Sequence, residues 1–207
     1  MSNLKNQVMN GLKWSFLAKM TTQVFSWIST FVVLRLLTPD DYGLMSIAMV
    51  FFTFISMFTN NGLISALVRM QSTAQKESSQ IFTLSLLINL SLSGLLAIMA
   101  PSIADWYDNQ QLKNVLWVLA AINPITTFAV IPQAKLQIEM RFKEKSLAEG
   151  VAALAAALTA FVAANLEQGF WALIYSNIVL NIVRVVGFNF VARVRYGIAK
   201  TWDGAKE

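Results

Sequence analysis

Apolar residues gather in six long segments, at about 12–37, 44–68, 81–106, 112–134, 147–166 and 170–192. Polar residues interrupt them at 38–43, 69–80, 107–111, 135–146 and 167–169. A helix rising 1.5 Å per residue needs about 20 apolar residues to cross a hydrocarbon core of roughly 30 Å. Barrel strands are about half that long and alternate in polarity. Only a helix satisfies its own backbone polar groups alone in lipid. The pattern therefore predicts an all-α, polytopic transmembrane bundle of six spans over residues 1–200, followed by a polar tail at 201–207.

The polar positions inside the segments are not scattered. Lys19, Gln23, Ser26 and Thr30 recur at spacings of three and four, which puts them on one helix face. The second segment carries Ser46, Thr53, Ser56 and Asn60, and the third carries Ser85, Asn89 and Ser93. The fourth contains Asn123-Pro124, Thr127 and Pro132, and proline removes a backbone donor, so a kink is expected there. Asn177, Asn181 and Arg184 share a face of the sixth. Between 151 and 164, eight of fourteen residues are alanine, which lets helix backbones approach closely in lipid.

Two explanations exist for such stripes. Single Ser, Thr and Asn side chains often bind helix to helix, at about 0.6 kcal/mol each. A cation at depth is costlier, at roughly 2.5–3.5 kcal/mol on insertion scales, and usually faces a partner or a water-filled cavity. Arg184 precedes Arg193 by nine residues, so it lies roughly 13 Å deeper, beyond full snorkelling reach. Lys19 either snorkels to the headgroups or joins the same cavity. A polar interior that is positive on one half suits an anionic, hydrogen-bonding ligand, and a guanidinium fork matches phosphate or diphosphate. The candidate substrate-binding residues are Arg184, Lys19, Asn177, Asn181, Gln23 and Asn89.

Composition supports the membrane reading. Of 207 residues, 56% are hydrophobic and 13% charged, with a mean hydropathy of +0.56. A soluble domain carries about 25% charged residues. Of sixteen Lys and Arg, twelve fall on one side of the predicted bundle: Lys5, Lys13, Arg69, Lys76, Lys135, Arg141, Lys143, Lys145, Arg193, Arg195, Lys200 and Lys206. Arg35 and Lys113 fall on the other. That bias predicts both termini in the cytoplasm, in a multi-pass protein of the bacterial inner membrane. The start of the chain reads as no signal peptide. The net charge of +5 is thus a topology signal, and nucleic acid is not an expected partner. The chain has no cysteine and no histidine, which argues against disulfides, thiolate metal sites and the commonest general base. No Gly-rich phosphate loop, triad or intramembrane carboxylate pair is present, so neither an enzyme nor a cofactor is expected.

Several stretches then match one family. Residues 34–43 (LRLLTPDDYG) resemble the R-L-L-x-P-x-D-Y-G turn of bacterial polysaccharide flippases. Residues 61–68 (NGLISALV) resemble the end of their second helix, and 133–143 (QAKLQIEMRFK) the cytoplasmic loop between their fourth and fifth. Residues 169–173 (GFWAL) resemble the start of their sixth. The match is nearest to Wzx-type members, particularly colanic-acid exporters, in the multidrug/oligosaccharidyl-lipid/polysaccharide exporter superfamily. The resemblance implies one lobe of a two-lobe flippase, working by alternating access. Its substrate would be an undecaprenyl-diphosphate-linked oligosaccharide moved across the inner membrane for surface or extracellular polysaccharide synthesis. It further implies membrane lipid, a second lobe or a homodimer partner, and polysaccharide polymerase and glycosyltransferases as neighbours. The 38–43 turn reads as the start of the next helix with an acidic residue near its positive end, a structural feature and not a site. Two other functions fit the residues: a half-size homodimeric exporter of small amphipathic compounds, and a non-transporting membrane partner in a polysaccharide-assembly complex, docking through its basic 135–145 loop.

Overall fold

The computed structural model describes residues 37–57 and 75–193, with isolated positions between 16 and 35. Five helices and no strand occur among the described residues: α1 (Pro39–Ser56), α2 (Gln75–Trp106), α3 (Gln110–Ile138), α4 (Phe142–Asn165) and α5 (Trp171–Ala192). The last four are long and apolar enough to cross a membrane. Most of the expected first span and the second half of the expected second lie outside the described residues. Of the first, Phe16, Met20, Gln23, Val24, Trp27 and Phe31 are helical and exposed.

The helices overrun their apolar stretches. α2 begins at Gln75 where hydropathy suggested about 81, and α3 runs to Ile138 where it suggested 134. Backbone hydrogen bonding continues past the apolar run until the chain itself stops it. Three ends stop alike, at Asp108, Met140 and Glu167, each in a left-handed conformation with φ of 49°, 53° and 55°. After α3, Arg141 N–H donates to Leu136 O (2.9 Å) and Met140 N–H to Gln137 O (3.1 Å). The same paired closure follows α2, through Asn109 and Asp108, and α4, through Gln168 and Glu167. This is the Schellman geometry, which satisfies carbonyls a helix end leaves bare. α1 starts from a capping box in which Thr38 and Asp41 bond reciprocally, with Pro39 opening the helix.

Short connections make α2, α3, α4 and α5 successively antiparallel. α2 packs along α3, α4 along α5, and α3 also meets α5 and α1. α3 is the central helix: 67% of its apolar window is buried, against 28–33% for the other three. The core at one end joins Leu44, Ala48, Ala100, Leu112, Leu116 and Ile174. At the other end Leu136, Ala148 and Phe188 close it. The alanine-rich helix behaves as its composition predicts. Ala148, Ala152, Ala160, Ala163 and Ala164 are buried, and Gly187 of α5 lies so near that a Cβ there would sit 3.2 Å from the Ala148 Cβ.

The described charges are shared unevenly between the two ends. Lys135, Arg141, Lys143, Lys145 and Arg193 surround the α3–α4 connection and the end of α5, with Glu139, Glu144 and Glu149 paired among them. Asp40, Asp41, Asp105, Asp108 and Glu167 occupy the opposite end, with Lys113.

Candidate functional site

The polar stripes resolve into two groups. The first lies between α2 and α3 at mid-length. Asn89 Nδ2 donates to Thr127 Oγ1 (2.7 Å), and Asn123 Nδ2 donates to Asn89 Oδ1 (2.9 Å) and Ser93 Oγ (3.1 Å). Asn89 and Thr127 are 0% exposed and Asn123 is 1% exposed. The third-segment stripe therefore meets Asn123 and Thr127 of the fourth, a pairing that spacing along one helix does not reveal. Asn123 Oδ1 is buried without a hydrogen-bond partner. Asn89 thus links two helices, bonded at both ends of its carboxamide.

The second group lies on α5. Asn181 Nδ2 donates to Asn177 Oδ1 (3.0 Å) and to Asn177 O (2.9 Å). Asn177 Nδ2 approaches Met49 Sδ of α1 at 4.0 Å, so this face looks toward α1. Both asparagines are buried. Arg184 follows on the same face, half-buried, and its Nε is buried with no hydrogen-bond partner. A bare guanidinium donor in a low-dielectric setting is costly, and each such group calls for a physical reason. Of the predicted site residues, Asn177 and Asn181 are bonded to each other, Arg184 follows one turn on along α5, and Asn89 belongs to the other group. Gln23 is exposed, and Lys19 lies outside the described residues.

A structural alternative for Arg184 is to cap a carbonyl that a proline has freed. The prolines in question are Pro124 and Pro132 of α3, and at Pro132 the fold fills that role with another side chain. Pro132 has no N–H for Phe128 O, and Asn189 Nδ2 of α5 donates to that oxygen at 3.0 Å. Pro101 of α2 likewise frees Ala97 O, and Trp117 Nε1 of α3 donates to it at 3.0 Å. Lipid offers no water to such carbonyls, so a neighbouring helix must supply the donor. Asn189 was missed by reading stripes. The signal that finds it is the proline, which marks the carbonyl four residues back as needing a partner.

Both ends of the bundle are tied across long separations. Asp41 Oδ2 accepts from Thr38 N–H (3.0 Å) and Thr38 Oγ1 (2.7 Å), while Asp41 Oδ1 accepts from Phe170 N–H (3.0 Å). The turn before α1 and the turn before α5 are therefore one unit. Gly169 is left-handed (φ 54°), and a Cβ there would stand 3.4 Å from Asp41 Oδ1. At the other end Lys135 Nζ donates to Ala192 O (2.9 Å) and Arg141 Nη2 to Val191 O (3.3 Å), capping the carbonyl terminus of α5. Arg141 also pairs with Glu144 and with Glu139 (3.1 Å). Glu144, and then Glu139, hold its guanidinium well above the ordinary arginine range. Much of the basic loop is therefore spent on internal contacts. Among the described residues no cluster of acidic side chains stands ready for a metal ion.

Comparison with known proteins gives a consistent picture. Residues 32–207 match the family described as "Polysaccharide biosynthesis protein". The chain is 24% identical over 186 residues to the succinoglycan biosynthesis transport protein ExoT of Rhizobium meliloti, covering 90% of this chain and 38% of that protein. It is 22% identical to an uncharacterized membrane protein in the cps region of Klebsiella pneumoniae, covering 99% and 42%. To the lipopolysaccharide biosynthesis protein WzxC of Escherichia coli it is 21% identical, covering 94% and 39%. The chain thus spans about two fifths of the length of these curated relatives. No solved structure matches it.

Proposed function

Because the chain belongs to the polysaccharide biosynthesis protein family, we propose that it is one lobe of a flippase that moves a lipid-linked oligosaccharide across the inner membrane. A second lobe, in the same polypeptide or in another copy, completes the pathway. The charged end with Lys135, Arg141 and Arg193 faces the cytoplasm. The substrate is a polyprenyl diphosphate carrying a sugar repeat unit. Such a molecule needs its anionic, hydroxyl-rich head shielded from lipid while the tail remains outside.

The observation that carries this reading is Arg184. Its Nε is buried and unpartnered, on one face with the carboxamides of Asn177 and Asn181. The carbonyl freed by Pro132 is already served by Asn189, so a strut role at that proline is taken. A guanidinium offers a planar fork to phosphate, and the two amides add donors and acceptors for phosphate or sugar. Binding and re-exposure need no bond made or broken, so no catalytic group is required. Lys19 and Gln23, from the first segment, would extend the same polar lining.

Reconstituted translocation of a lipid-linked oligosaccharide, in the intact two-lobe assembly, tests the proposal. Charged hydrogen bonds contribute about 1.5–3 kcal/mol, so Arg184→Gln should lower transport roughly ten- to hundredfold at normal membrane abundance. Arg184→Lys keeps the charge and loses the fork, and should retain part of the activity. Wild-type transport by a well-expressed Arg184→Gln protein refutes the anion site. A parallel fall in abundance of both variants points to a strut.

A further inference from the structure

We propose that the recess at the basic end of the bundle binds the phosphate headgroup of an anionic phospholipid. The recess, about 460 Å³, forms where the last turn of α3, the first of α4 and the end of α5 converge. Lys135, Arg141 and Arg193 line it, with Glu144 and Phe190. None of this depends on transport, and the site is separate from the Arg184 face.

The charge balance singles out one residue. Lys135 and Arg141 are held in place by the α5 carbonyls they cap, at 2.9 and 3.3 Å. Glu139 lies 3.9 Å from Lys135 Nζ and 3.1 Å from Arg141 Nη1, and Glu144 pairs with Arg141. Two carboxylates therefore offset two cations. Arg193 is the surplus, exposed, at the left-handed residue (φ 46°) that ends α5. Its neighbours are fixed rather than floppy, which lowers the ordering cost of binding. One turn earlier, Phe190 is 82% exposed on the same wall. A cationic rim above a bare aromatic ring matches a lipid with a phosphate head and an acyl chain. Basic recesses between membrane helices at the cytoplasmic face take anionic headgroups in this way. Because Phe190 is on the outer surface, the ligand arrives laterally from the bilayer. A diphosphate carrier has related head chemistry, so the test must separate the two.

Native mass spectrometry of the purified chain is the direct measurement. The protein would be titrated with phosphatidylglycerol, phosphatidylcholine and undecaprenyl diphosphate in turn. Phosphatidylglycerol should be retained over phosphatidylcholine. One surface cation is worth about a fivefold change in lipid partitioning, so Arg193→Gln should reduce that retention roughly fivefold, while Arg193→Lys should keep most of it. Glu144→Gln removes the lining carboxylate and should raise retention, an opposite sign that general unfolding does not produce. Equal retention of phosphatidylglycerol and phosphatidylcholine overturns the proposal, as does an Arg193→Gln protein that binds like wild type. Preferential, Arg193-dependent retention of undecaprenyl diphosphate would give the recess to the carrier lipid and overturn the phospholipid assignment.

Discussion

Proline and its remote partners show how single side chains hold this bundle. Pro101 and Pro132 each leave a carbonyl without its amide, and Trp117 and Asn189 reach across from adjacent helices to fill the gap. Trp117 would otherwise be taken as an interfacial aromatic, since it is 45% exposed. Its hydrogen bond gives it a second duty with a testable signature. Trp117→Phe should cost about 0.5–1.5 kcal/mol of unfolding free energy in detergent. In a Pro101→Ala background residue 101 regains an N–H for Ala97 O, and the cost of Trp117→Phe should shrink toward zero. A double-mutant cycle by equilibrium unfolding measures the coupling. Equal costs in both backgrounds would mean that the indole does not serve that carbonyl. The Asn89–Asn123–Ser93–Thr127 network is a different case. There three hydrogen bonds link the two helices inside a buried seam, at a typical worth of about 0.6 kcal/mol per bond, while Asn123 Oδ1 is left without a partner.

Helix packing depends on where small residues fall. α4 and α5 meet along the alanine face, and Gly187 lies close against α4 in that seam. Its nearest contact belongs to Ala148, whose Cβ cannot retreat without moving α4. Gly187→Leu should therefore destabilise by about 1–3 kcal/mol through overpacking. Ala148→Gly in the same protein should recover part of the loss, because it removes the atom being struck. Thermal melting of the four proteins in detergent gives the answer. A loss that Ala148→Gly leaves untouched would place the clash elsewhere. The composition of the 151–164 stretch announces close approach, and a close approach also falls outside it, at Ala148. Composition identifies a small-residue helix; the crossing point depends on how α5 lies against it.

The bundle gathers most of its described cations at one end, and that bias makes a prediction for the protein in its membrane. Reporter fusions after residues 75, 140 and 203 should read cytoplasmic, and those after 41, 109 and 168 periplasmic. The bias of Lys and Arg motivates the direction. A periplasmic reading after residue 140 would invert the map, because Lys135, Arg141, Lys143 and Lys145 flank that point. The same end holds the cationic recess, so orientation also fixes which leaflet would supply its lipid. At the acidic end Asp41 and Phe170 join turns far apart in the chain. The LRLLTPDDYG and GFWAL stretches, far apart in the sequence, are thus two halves of one contact.

Helix class, the approximate positions of the last four spans and the charge asymmetry were legible in the order of residues. Each arises locally: a run of apolar side chains fixes a span, and a cluster of cations fixes which end stays wet. The shared face of Asn177, Asn181 and Arg184 was legible for the same reason, since helical periodicity alone sets it. Pairing was not. Asn89 reads as a ligand-binding amide, and in the fold its carboxamide is bonded at both ends by Asn123 and Thr127, more than thirty residues away. Asn189 carried no stripe and nonetheless caps Phe128 O, across sixty-one residues. Lys135 and Arg141 read as topology anchors and also form the wall of a recess, because α3, α4 and α5 end together. Hydropathy and spacing report what each segment prefers toward lipid or water. Which donor meets which acceptor depends on helix register and crossing, which only the packed bundle specifies.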